Sequence, residues 1–177
     1  MKKYTLNLLF FVGILFLTKP SSAQNILANG GFDNPAYIKP FWYPIPMNEW
    51  YNWDNYNGGN FAYADASVVN GVCKYQIYNP GINTWEIQLA YWGFQLTQGH
   101  TYRLSFDVKA DANREFGVFI GEDGGYWRNF NSNYTQSATT SWQTKTIEFR
   151  SLIVYPLHKL SFEMGGNTPK ASQVRKN

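Results

Sequence analysis

Five short runs in this chain alternate apolar and polar residues with period two, and no segment sustains the apolar period of a helix. In the run from Tyr102 to Lys109, the residues Tyr102, Leu104, Phe106 and Val108 fall on one face. Trp85 to Leu89, Thr144 to Phe149 and Lys159 to Met164 alternate in the same way. Phe116 to Ile120 alternates more weakly, because both of its faces carry apolar residues. Short runs with this period are half-buried strands. Turn chemistry separates them at Asn70-Gly71, Asn79-Pro80-Gly81, Gln98-Gly99, Asp123-Gly124-Gly125 and Gly165-Gly166-Asn167. The pattern predicts an all-β chain folded as a β-sandwich of two antiparallel sheets. Pro35 to Pro46, with prolines at 35, 40, 44 and 46, reads as a surface loop. No internal repeat or second domain is visible.

The first 23 residues read as a secretory signal. Lys2 and Lys3 are followed by an apolar run from Leu6 to Leu17, which is too short to span a bilayer. Ser21-Ser22-Ala23 supplies small residues for cleavage, so the mature chain is expected to start at Gln24 and to be secreted, periplasmic or extracellular. Without those residues the chain carries 12 basic and 12 acidic side chains. A neutral chain lacks the basic face of a nucleic-acid binder. No later stretch is a membrane candidate. Residues 24–177 are enough for one domain with its own core, and a monomer is expected. Cys73 is the only cysteine, which excludes an internal disulfide and a cysteine zinc site. Its apolar-leaning neighbours predict a buried, inert thiol.

Catalytic chemistry has little to work with. His100 lies in a turn, and His158 precedes a strand with no acid or nucleophile motif nearby. No metal-binding histidine pair, nucleophile elbow or phosphate-cradling loop is present. Glu86, Glu122, Asp123 and Glu163 have the residue type needed for glycoside hydrolysis. Sequence does not place any two of them across one cleft.

The aromatics say more. They make up 19% of the residues, against 15% for charged residues. Trp50, Tyr51 and Trp53 sit beside Asn52, Asp54 and Asn55, while Tyr126 and Trp127 sit between Gly124-Gly125 and Arg128-Asn129. Each of these could be a core residue. As a group they offer flat apolar faces with hydrogen-bonding rims. A pyranose ring presents the matching apolar C–H face and a ring of hydroxyls.

The order of motifs resembles the carbohydrate-binding modules of the family 4/9/22 type. Asn25 to Asp33 resembles that family's opening, and Trp50 to Asp54 its tryptophan segment. Leu96 to Ala110 resembles its most specific run, Ser141-Trp142-Gln143 its "W-Q" strand and Leu160 to Gly166 its penultimate strand. The resemblance implies a jelly roll with a concave cleft for soluble β-glucan or xylan chains, non-catalytic and associated with glycoside hydrolases. It implies cleft residues at Tyr51, Trp53, Phe119, Tyr126 or Trp127, Lys159 and Glu163. Trp85 and Gln88 are further candidates, although strand parity lets only one of them face the cleft. Trp53 and Tyr126 or Trp127 are expected as opposite walls, Phe119 as floor, and Lys159 and Glu163 as rim. Asp33 matches a structural calcium ligand of the family, but the acid of the family's last strand has no counterpart. That strand looks truncated or replaced, which predicts an exposed sheet edge or a gap over the core. A small hydrolase or lyase on a sandwich scaffold, or an adhesive surface protein, are the alternatives.

Overall fold

A computed structural model describes residues 25–33, 38–40, 47–166 and 172–175. The expected signal sequence, the start at Gln24 and most of the Pro35–Pro46 loop lie outside the described residues. The strands are β1 (Lys39–Pro40), β2 (Trp50–Asp54), β3 (Tyr63–Val69), β4 (Val72–Asn79) and β5 (Ile87–Phe94). They continue as β6 (Thr101–Ala110), β7 (Arg114–Glu122), β8 (Thr135–Ala138), β9 (Gln143–Arg150), β10 (His158–Glu163) and β11 (Ser172–Arg175). One sheet has the order β1-β2-β5-β10-β7-β8, and the other β3-β4-β11-β6-β9. Every pair is antiparallel except β1 with β2. This is the expected sandwich of the jelly-roll type. No described helix is long and apolar enough to cross a membrane.

The period-two faces meet where the alternation places them. Leu104, Phe106 and Val108 of β6 face Val118 and Ile120 of β7 and Leu160 and Phe162 of β10 in one core. Phe106 and Phe162 bridge the two sheets edge to face, with centroids 4.9 Å apart. Cys73 is free and buried there, and burial pushes its thiol pKa up, so it stays protonated. Asn70 and Gly71 both adopt positive φ, +52° and +70°, and form the two-residue hairpin turn between β3 and β4.

Two expectations need correction. No gap opens in the five-stranded sheet, because β11 pairs with both β4 and β6. Ser172 to Arg175 carries little apolar alternation, so its ladder position comes from the open backbone edges beside it. Nor is Trp85 to Leu89 a single strand. Thr84–Glu86 is a 3-10 turn, and β5 begins at Ile87.

Candidate functional site

The outer face of the six-stranded sheet carries a cleft of about 970 Å3. Its floor follows from strand register. Tyr51, Ala90, Ser161 and Phe119 form one row across β2, β5, β10 and β7. Trp53, Gln88, Glu163 and Gly117 form the next. Trp92, Lys159 and Gly121 form a third. Alternate residues of these strands point into the core, so period two delivers the intervening ones to a single surface. Ala90 and Ser161 are the small residues of the first row, whereas Tyr134 packs over Gly117 and the Arg128 carbonyl over Gly121.

Of the nine sequence-predicted residues, Tyr51, Trp53, Trp85, Gln88, Phe119, Trp127, Lys159 and Glu163 line this cleft. Val118 and Ile120 turn inward, and Phe119 faces the cleft as parity requires. Trp85 and Gln88 both line it. The parity limit does not apply because Trp85 sits on the 3-10 turn, where Gln88 Nε2 donates to its carbonyl at 2.6 Å. The Trp53 and Trp85 rings pair at 5.8 Å and form one wall. Trp127 forms the other, from the loop after β7, held at φ +53° by a turn in which its N–H donates to Gly124 O. Tyr126 is 86% exposed and does not line the cleft. The Arg128 guanidinium covers its ring instead, 5.6 Å from the centroid.

Lys159 and Glu163 are not on a rim. They stand on β10, in the middle of the sheet, and both are buried. Lys159 Nζ lies 5.3 Å from the Trp127 ring centroid. Burial lowers its pKa, and the nearby Asp123 and Glu163 carboxylates work against that shift. Burial raises the Asp123 pKa, and Lys159 opposes it. Glu163 accepts hydrogen bonds from the Tyr134 hydroxyl and from Ser161 Oγ, and Tyr134 Oη also bonds Thr84 Oγ1 at 2.8 Å. Burial raises the Tyr51 pKa, with Asp123 adding to it, so that phenol keeps its proton.

Sequence reasoning missed Trp92, Asn129 and Tyr134 as lining residues. Asp123 was weighed only as a catalytic acid. Trp92 lies two residues past Ala90 on β5, so extending the alternation from Gln88 would have found it. Tyr134 carries no such signal. It comes from the loop before β8 and packs over Gly117, where a Cβ would stand 2.3 Å from the phenol ring. Gly117→Ala is therefore expected to expel Tyr134 and weaken ligand binding about tenfold, with only a modest loss of stability, read by calorimetry and thermal melting.

The other carboxylates weighed for catalysis are structural. Glu86 is fully buried. It accepts from Asn55 Nδ2 and Asn60 Nδ2 on one oxygen and from the Ile82 and Asn83 N–H groups on the other. Burial pushes its pKa up, but these four donors outweigh that and hold it at about 2. Glu122 is pinned by Arg128, whose Nη2 lies 2.7 Å from Oε1. That bond holds its pKa below the ordinary value. His158 begins β10 opposite Glu122 and is buried, and burial lowers its pKa. Asp33 is exposed, and no group of three or more His, Cys, Asp or Glu side chains that could hold a metal occurs among the described residues.

Residues 24–154 match the carbohydrate binding domain family of the CBM 4/9 type. A cellulose 1,4-beta-cellobiosidase from Acetivibrio thermocellus is 28% identical over 118 residues, which are 62% of this chain and 13% of that enzyme. A solved CBM4 structure superposes with a TM-score of 0.73 at 30% identity, covering 84% of this chain and 95% of its own. The second N-terminal cellulose-binding domain of Cellulomonas fimi β-1,4-glucanase C shares the fold, with a TM-score of 0.55 at 21% identity over 65% of this chain and 80% of its own. With its two-sheet jelly roll, its aromatic-walled cleft and a match across most of its length, the chain belongs to this carbohydrate-binding family.

Proposed function

We propose that the cleft binds single chains of a neutral β-linked polysaccharide, with β-1,4-glucan first and xylan second. The observation that carries this is the wall-and-floor arrangement. The Trp53–Trp85 pair and Trp127 flank a floor where Gln88, Lys159 and Glu163 offer hydrogen bonds to hydroxyls. Indole faces cover the apolar side of a pyranose ring and remove it from water. The likeness to a cellobiosidase supports the glucan choice, and the chain spans only 13% of that enzyme. On this reading the protein is secreted after loss of residues 1–23 and holds a hydrolase, or the cell, near polysaccharide.

The module works by binding and not by hydrolysis. Asp123 and Glu163 are the carboxylates that line the cleft, and Glu163 is engaged by Tyr134 and Ser161. Calorimetry with cellohexaose, xylohexaose and soluble β-glucan is expected to show binding that depends only weakly on salt, because the ligand is neutral. The same samples should release no reducing ends. Turnover lost in Glu163→Gln or Asp123→Asn would establish hydrolase activity instead, and binding to none of these glycans would sink the reading.

A further inference from the structure

A second aromatic surface lies outside the cleft, where β2 adjoins β3. Tyr56, Phe61, Tyr63 and Tyr78 are all exposed, and none belongs to the core. Their rings still meet in series. Phe61 contacts Tyr56 at 6.3 Å, Tyr56 contacts Tyr63 at 5.8 Å, and Tyr63 stacks on Tyr78 at 5.4 Å with 18° between the planes. Isolated exposed aromatics are ordinary, but a connected group of four marks a contact surface.

The polypeptide fixes this group by three means. A bulge between Tyr63 and Ala64 in the β3–β4 ladder re-aims the chain beside Tyr78. The Tyr63 hydroxyl donates to Asp65 Oδ1 at 2.8 Å. Asn79 Nδ2 donates to the carbonyls of Asn60 and Phe61, each at 3.0 Å. Phe61 is thereby held at φ +51° while 61% of it faces solvent. A bulky residue in the left-handed region is strained, and here no core packing accounts for the strain.

The surface and the Trp53–Trp85 wall share one anchor, Glu86. Glu86, next to Trp85, accepts from Asn55 and Asn60, which adjoin Tyr56 and Phe61 in the chain. Asn52 of β2 donates to the Ala64 carbonyl of β3 at 3.2 Å, which ties β2 to the edge strand of the other sheet. We propose that Tyr56, Phe61, Tyr63 and Tyr78 form a second glycan-contacting surface, on which a polysaccharide chain lies after it leaves the cleft past Trp53 and Trp85. This rests on the cleft being the glycan site. The occupant follows from that continuity and from the chemistry. Stacked phenol rings bordered by Asn60, Asp65 and Asn79 repeat the cleft's pairing of flat apolar faces with hydroxyl-binding groups.

The test compares cellotetraose with soluble barley β-glucan by calorimetry, using the full chain. The Tyr63→Ala/Tyr78→Ala variant is expected to bind the polymer about tenfold more weakly and cellotetraose as the parent does. Phe61→Ala should show the same split, and Trp53→Ala should weaken binding of both ligands. If the double variant fails to melt cooperatively, the comparison passes to Phe61→Ala and the single variant Tyr78→Gln. Parent-like polymer binding in these variants overturns the proposal and leaves the cleft reading standing. So does a fall in oligomeric state by light scattering with polymer affinity unchanged, which would make the surface a contact between copies. If the parent binds neither ligand, the cleft reading falls, and this proposal with it.

Discussion

Trp53→Ala and Trp127→Ala are each expected to weaken β-glucan binding about 5- to 150-fold, and the double variant to lose it within the range of calorimetry. The estimate takes about 1–3 kcal/mol per stacked ring, by analogy with bases on aromatic side chains, at 1.4 kcal/mol per tenfold. Trp53 and Trp127 stand on opposite sides of the β5 and β10 floor, so a sugar chain between them touches both. Neither ring belongs to the core, and Trp127 is 53% exposed. The melting temperature should therefore change little. Trp127→Ala has a second effect, since it uncovers the Lys159 ammonium that its ring now covers. Lys159→Ala is accordingly placed with the strong variants. Parent-like affinity in both tryptophan variants, or unfolding of both, would remove these residues from the site.

Glu86→Ala is expected to cost on the order of 3 kcal/mol of stability, which lowers the melting temperature by roughly 10 °C. The substitution leaves the Asn55 and Asn60 amides and the Ile82 and Asn83 N–H groups without their acceptor. Removing one side of a buried, charge-assisted network costs far more than an exposed pair would. The pH dependence has a definite sign. Glu86 is held at about 2, below its ordinary 4.5. Its contribution is therefore fully present above about pH 4.5 and is lost as pH falls through about 2. Glu86→Gln should flatten the stability profile across that window and reduce stability at neutral pH. Denaturant melts from pH 2 to 7 read both effects, and a parent-like slope in the variant would show that Glu86 is not the group responsible. Glycan affinity should fall as well, because the same carboxylate anchors the turn that carries Trp85.

Glu86 also shows the limit of what is legible in a linear sequence. By type it was a candidate acid for hydrolysis, and by alternation it belonged to a strand. Only the fold brings Asn55 and Asn60 onto it from some 30 residues away and turns it into a structural anchor. The same contrast runs through the cleft. Phe119, Lys159 and Glu163 were readable because period two fixes the face of a strand residue once its neighbours are known to be core. Their depth was not readable, because it depends on strand order. β10 lies between β5 and β7, so its outward side chains form a floor where a rim was expected.

The sequence by itself determined the sandwich, the β3–β4 turn, the core faces of β6, β9 and β10, and the group of aromatics with rims of amide. Those follow from local rules, since alternation, turn chemistry and flanking residues act over a few positions. The tertiary structure alone decided that Trp127 and not Tyr126 forms a wall, that Tyr134 closes over Gly117, and that Ser172 to Arg175 fills the place between β4 and β6. Each of these depends on which distant segment occupies the space beside a residue. That is settled by packing and by backbone hydrogen bonds between strands far apart in the chain, and no local pattern encodes it.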